Sequence, residues 1–154
     1  MTKTENDALA ATQLTAFAPY LMNRIVHRYN QTAQIAMSER GITTPKMRVL
    51  AALASQGDLT VNALTVFAVS EQSTMSRTLD QMETAGLVTR KTSDQDSRVR
   101  VISITKNGLA VYQSIWPDML EAESELLKGL DKKTRQSFLK TLNQILLNIR
   151  VNDF

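Results

Sequence analysis

Apolar residues recur at steps of three and four from about Leu14 to Met37: Leu14, Phe17, Ala18, Leu21, Ile25 and Tyr29. That is the spacing of one helix face. Met22, Val26 and Ala33 widen the arc, so this first helix is expected to pack on two sides. Gly41 suits a terminator, and Thr44-Pro45 opens a second helix, with Thr44 as N-cap and Pro45 at the first helical position. Its apolar face is Met47, Val49, Leu50 and Leu53, and it ends before Gly57. Thr60 caps a short third helix through Val61, Leu64 and Phe67. After a turn at Ala68-Val69, Ser70 is the expected N-cap of a fourth helix that runs to about Thr84. Met75, Leu79 and Met82 form its inner face, and Gly86 is expected to be left-handed behind it. Two helices joined by so short a turn make a helix-turn-helix.

The period then changes. Leu87 to Arg90 is short and β-prone, Thr92 to Ser97 is polar, and Val99 to Ile104 alternates, with Val99 and Val101 expected inward and either Ile102 or Ile104 beside them. Two such runs around a polar loop predict a hairpin, here a wing directly behind the helix-turn-helix. Thr105 begins a fifth helix carrying Leu109, Tyr112, Trp116, Leu120 and Leu127, and Pro117 is expected to kink or break it. Gly129 ends it. Asp131 caps a sixth helix whose apolar face holds Phe138, Leu139, Leu142, Ile145, Leu146 and Ile149. The predicted fold is mainly α with a small β wing, in one domain over 1–154. Residues 44–105 form the winged lobe, and 10–40 with 106–150 form helices for dimerisation.

Composition narrows the function. Hydrophobic residues make up 43% of the 154 and aromatics only 5%, so the core is aliphatic. No apolar run approaches the ~18–20 residues of a membrane span, and Met1 to Asp7 lacks a signal-peptide pattern. There is no cysteine, which removes disulfides and thiolate metal sites and agrees with a cytoplasmic location. With a single histidine, no glycine-rich phosphate loop and no metal-ligand spacing, neither an enzyme nor a metal or cofactor is expected. The net charge of +3 is mild, but its distribution is uneven. Arg24, Arg28, Arg40, Lys46 and Arg48 stand against Glu39 alone, and Arg90, Lys91, Arg98, Arg100 and Lys106 against Asp94 and Asp96. Acids gather at Asp118 to Glu125. Such a chain can show a basic face to phosphates.

Five stretches in register resemble the MarR family (multiple antibiotic resistance regulators). They are Gly41 to Pro45 with Arg48 to Leu53, Ser73 to Leu79, Gly86 to Arg90, Asp94 to Arg98, and Ile104 to Gly108. The resemblance spans about residues 14–150. It implies a homodimer on pseudo-palindromic duplex DNA, acting in transcription, usually as a repressor and often released by a small ligand.

The site candidates follow from both readings. Gln72, Ser73, Thr74, Ser76 and Arg77 lie near the start of the fourth helix, where side chains reach base edges in the major groove. Arg98 at the wing tip suits the minor groove, with Asp96 fixing its direction by an ion pair. Arg90, Lys91 and Arg100 flank the hairpin and face phosphates. Phe138, Leu142, Ile145 and Ile149 are the expected dimer stripe. Tyr20, Arg24 and His27 on the first helix, with Tyr112 and Trp116 on the fifth, are candidates for an effector pocket suited to an anionic aromatic ligand. Two alternatives accompany this reading: a winged helix that binds another protein, which would not need Arg98, and a DNA-binding regulator without a ligand.

Overall fold

The computed structural model describes residues 13–93 and 96–150. Among the described residues six helices and three short strands follow in chain order: α1 (Ala18–Ser38), α2 (Thr44–Gln56), β1 (Leu59–Thr60), α3 (Val61–Phe67), α4 (Gln72–Thr84), β2 (Val88–Thr92), β3 (Arg100–Ile104), α5 (Lys106–Leu126) and α6 (Lys132–Ile149). Asp94 and Gln95, which belong to the expected wing motif, lie outside the described residues, as do residues 10–12 of the expected first helical region and the tail from Val151.

Several expected boundaries move for local reasons. Residues 13–15 form a separate helical turn, and α1 begins only at Ala18, with Pro19 in its first turn. A proline there costs no helix bond, because the first N–H groups have no partner inside the helix. The same rule puts Pro45 in the first turn of α2, but the chain enters one residue earlier than expected, so Thr43 and not Thr44 is the N-cap. Pro117 does not break α5, which runs unbroken through it. Pro117 and Gln113, whose carbonyl loses its donor, are both exposed, so water can satisfy the freed group.

The sheet has the order β1-β3-β2 and is antiparallel. The two-residue β1 was not expected, being too short to show an alternating pattern. It pairs Leu59 with Ile102 and Thr60 with Val101. β3 is therefore the central strand, and Ile102 is the residue it buries completely, with Ile104 packed beside it. Val99 and Val101 are only half-buried, so the expected inward face is shifted by one residue.

The core gathers where α2 meets everything else. Leu50 and Leu53 of α2 lie with Met37 of α1, Leu64 of α3, Met75, Leu79 and Met82 of α4, Ile102 of β3 and Ile115 of α5, all fully buried. The start of α5 is clamped to the segment behind α4. Thr105 caps α5 by accepting from Gly108 N, and its hydroxyl donates to the Gly86 carbonyl at 2.7 Å. Gly108 sits so close that a Cβ there would lie 2.0 Å from the Leu87 carbonyl oxygen.

α6 is different. Asp131 caps it as expected, its carboxylate accepting from Thr134 N at 2.7 Å, yet none of its residues is buried. Phe138, Leu139, Leu146, Leu147 and Ile149 are exposed, the last at 70%, and Leu142 and Ile145 are half-buried. Exposed apolar residues also mark α1 and the approach to it (Phe17, Leu21, Ile25) and α5 (Trp116, Leu120). No helix among the described residues is long and apolar enough to cross a membrane.

Candidate nucleic-acid interface

The turn between α3 and α4 sets the direction of α4. Val69 N donates to the Val66 carbonyl and Ser70 N to the Thr65 carbonyl, the two bonds of a Schellman turn. Val69 occupies the left-handed position with φ of 51°, the place glycine usually takes. Because Ser70 is used in this turn, Glu71 and not Ser70 is the N-cap of α4. Beyond it, Met75, Thr78, Leu79 and Met82 are buried. Gln72, Ser73, Thr74, Ser76 and Arg77 are all exposed on the other side. The 4,3 spacing of the inner face is what frees these five residues together. Thr78 was not foreseen as an inner residue.

The hairpin behind α4 pairs Val88 with Ile104 through to Thr92 with Arg100. The segment from Asp96 into β3 is tightly turned. Asp96 accepts the backbone N–H of Arg98 on its carboxylate at 2.9 Å, and Val99 N donates to the Asp96 carbonyl. This corrects the expected role of Asp96: it shapes the turn that carries Arg98 and does not pair with the guanidinium. Arg98 is exposed. The Arg100 guanidinium donates to the Thr92 hydroxyl across the strand pair.

Arg90 is engaged elsewhere. It donates to Asp80 at 2.7 Å, and its Nε lies 3.7 Å from Glu83, beyond hydrogen-bond length but within ion-pair reach. Both acids are on α4, so Arg90 braces β2 against the recognition-helix candidate. Thr60, Asn62, Gln72, Arg98 and Arg100 line one cavity of about 180 Å³, which joins the starts of α3 and α4 to the wing. The exposed start of α4 and the wing thus form one surface, with Arg77, Lys91 and Arg98 in no ion pair among the described residues.

The expected effector residues are not gathered into one site. Tyr20, Arg24 and His27 line an open groove of about 600 Å³ formed by α1 alone. Arg24 lies over the Tyr20 ring at 5.8 Å, and His27 Nε2 is 3.1 Å from the Gln31 amide. Tyr112 and Trp116 pack on each other at 5.3 Å on α5 and do not line that groove, and burial raises the Tyr112 phenol above its usual value. A different cavity, about 280 Å³, opens between α1, α2 and α5. Val26, Tyr29, Met47 and Met119 make its walls apolar, and Arg48 is the charged residue in its lining. Burial, and more weakly the nearby Glu123 charge, raise the Tyr29 phenol, which donates to Met119 Sδ at 3.9 Å. Sequence periodicity could not find this cavity, because its lining residues are split between helices that meet only in the fold.

The MarR family profile matches residues 40–99. A MarR family transcriptional regulator from Silicibacter pomeroyi has a crystal structure that superposes with a TM-score of 0.85. It is 44% identical, over 92% of this chain and 95% of that one. The transcriptional repressor IacR of Pseudomonas putida is 26% identical, covering 86% of this chain and 80% of its own. At 19% identity the fold is shared with BpsR of Bordetella bronchiseptica, with a TM-score of 0.74 over 82% of this chain and 96% of that one. The BpsR structure concerns regulation of DNA binding by 6-hydroxynicotinic acid.

Proposed function

Because the chain belongs to the MarR family of DNA-binding transcriptional regulators, we propose that it acts as a homodimeric repressor on a pseudo-palindromic operator and is released by a small apolar anion. The observation that carries the DNA reading is the single exposed surface shared by the start of α4 and the wing, with Arg77 and Arg98 upon it in no ion pair among the described residues. In this reading α4 enters the major groove. Gln72, Ser73, Thr74, Ser76 and Arg77 meet base edges or phosphates there, Gln and Arg having the geometry for bidentate pairing. Arg98 enters the flanking minor groove. Lys91 and Arg100 lie near the phosphates, and Arg90 acts as a brace. No catalytic role is proposed for any residue.

Dimerisation is supported by α6, which has a long apolar stripe and no buried residue in the single chain. A stripe of this size in water marks an interface. Two-fold pairing through α6 and its neighbours would set two recognition helices about one DNA turn apart. The name of IacR supports repression, and the ligand control of BpsR supports release by an effector. The α1–α2–α5 cavity is the proposed effector site. Its walls are apolar and Arg48 is among the residues that line it, a combination that suits a compact aromatic carboxylate.

Selection of bound duplexes from a random pool, followed by gel shifts at several salt concentrations, tests the proposal. The expected result is an inverted repeat bound as a dimer, with affinity falling steeply as salt rises. Binding that ignores salt, or no enrichment, would leave the winged helix as a protein-interaction module. Benzoate is the first effector probe, with calorimetry for binding and gel shift for release.

A further inference from the structure

α6 joins α5 through a corner that one side chain fastens. Arg135, in the first turn of α6, reaches back across it. Its Nε donates to the Leu130 carbonyl and a terminal guanidinium nitrogen to the Leu127 carbonyl, both at 3.0 Å. Leu127 is the C-cap of α5, and Gly129 between the two carbonyls turns the chain with φ of 85°. A cation is favoured at the C-terminal end of a helix dipole, and the planar fork of a guanidinium fixes direction as well as distance. Among the described residues, the other side-chain hydrogen bonds of α6 stay within α6 or its cap. Arg135 also heads the apolar stripe. Positions 135, 138, 142, 145 and 149 follow at steps of three and four, so Arg135 shares a face with Phe138, Leu142, Ile145 and Ile149. Arg135, Leu142 and Ile145 are the half-buried residues of α6, and the rest are exposed.

We infer that Arg135 is a positioning residue for DNA recognition: it fixes the direction in which α6 presents its stripe, and so the spacing of the two recognition helices; this rests on the dimeric DNA-binding reading above. The other long helices have their directions set by buried apolar residues, whereas α6 contributes none to the core. Its direction therefore depends on the corner. The 18 residues of α6 make a lever of about 27 Å. A tilt of about 10° at the corner moves the far end by about 5 Å, more than the ~3.4 Å of one base-pair step. Two-fold pairing repeats that displacement in the second copy. A dimer can select one half-site spacing only if the angle is held. Lysine at this position keeps the charge, but one ammonium does not reproduce the two-pronged hold.

The test uses the intact chain and duplexes carrying the selected operator, with its half-sites moved together or apart by one and two base pairs. Wild type should bind one spacing far better than its neighbours. Arg135→Met removes both donors and keeps a flexible apolar stem. It should remain a dimer in sedimentation, bind a single half-site as wild type does, and prefer the natural spacing about ten-fold less, the scale of losing a charge-assisted hydrogen bond. Arg135→Lys should fall between the two. A dimeric Arg135→Met protein with the wild-type spacing profile overturns the inference and leaves the dimer standing. Equal loss at every spacing and on the half-site also overturns it, because that pattern marks a merely structural role. A flat profile in wild type overturns it as well. If Arg135→Met does not fold as a dimer, Arg135→Lys decides alone, and a wild-type profile in it overturns the inference. Wild type that is a monomer both free and on the operator removes the dimeric reading and the inference together.

Discussion

Arg77 and Arg98 share one surface but stand on different supports, so their loss should read differently. Arg77 projects from a helix whose inner face is anchored by Met75, Leu79 and Met82, a rigid support for the base contact proposed for it. Arg77→Ala is expected to cost about 1–3 kcal/mol per half-site and to relax preference at particular base pairs. Arg98→Ala should weaken binding on many sequences alike and reduce the salt slope by roughly one per wing. Isotherms on operator and scrambled duplexes over a salt series separate the two. The Asp96 contact adds a second expectation. Its carboxylate holds the backbone of Arg98, and an asparagine oxygen can accept the same bond. Asp96→Asn should therefore bind DNA nearly as wild type, and Asp96→Ala should lose affinity with the salt pattern of Arg98→Ala. Equal loss in both variants would mean that the charge of Asp96 matters and not the turn. The roles of these side chains could be read only in part from the chain: residue type pointed to Arg98, while the partner of Asp96 was decided by turn geometry.

Among the elements, α5 depends on a contact of unusual closeness. Gly108 rests against the Leu87 carbonyl, where a methyl group would have to displace backbone. Gly108→Ala should destabilise the protein by about 1–3 kcal/mol despite the better helix propensity of alanine, because overpacking at a backbone atom outweighs that gain. Thermal unfolding of the variant measures it, and a Tm equal to wild type would show that α5 can slide. α6 is tied at its start by Asp131, whose carboxyl is held below the usual carboxylate range chiefly by the hydrogen bond from Thr134 N. A lowered value in the folded state means that the group favours folding fully above its unfolded pKa of about 3.9. That contribution is lost as pH falls through the lower folded value. Acid titration of helicity should show an unwinding step below about pH 4 that is missing in Asp131→Asn. Helix ends such as this one were legible because the capping residue is adjacent in sequence. The cap of α4 was not, because Ser70 is claimed by the preceding turn.

For the molecule as a whole, the apolar stripe of α6 is the feature a single chain does not use. Ile145→Asp places a carboxylate in the proposed seam, where an unpaired charge is strongly disfavoured. Sedimentation should then find monomer or unfolded chain and gel shifts should find no tight operator complex. A folded dimer that still binds DNA would move the interface elsewhere. The proposed effector cavity belongs to this scale as well, since Val26 and Tyr29 of α1, Arg48 of α2 and Met119 of α5 meet only after the helices pack.

The amino-acid sequence determined the number and order of the helices, the inner face of α4, the presence of the wing and the family to which the chain belongs. Each depends on neighbours within a few residues, where periodicity and capping act directly. Tertiary structure decided what depends on distant partners. β1 exists because Leu59 and Thr60 find β3 waiting. Ile102 is the buried residue of β3 because its face of the sheet is the one that joins the helical core. Arg90 faces Asp80 and Glu83 because β2 turns back along α4. Arg48 reaches Val69 because α2 lies under the helix-turn-helix, a contact between positions too far apart for any local pattern to carry.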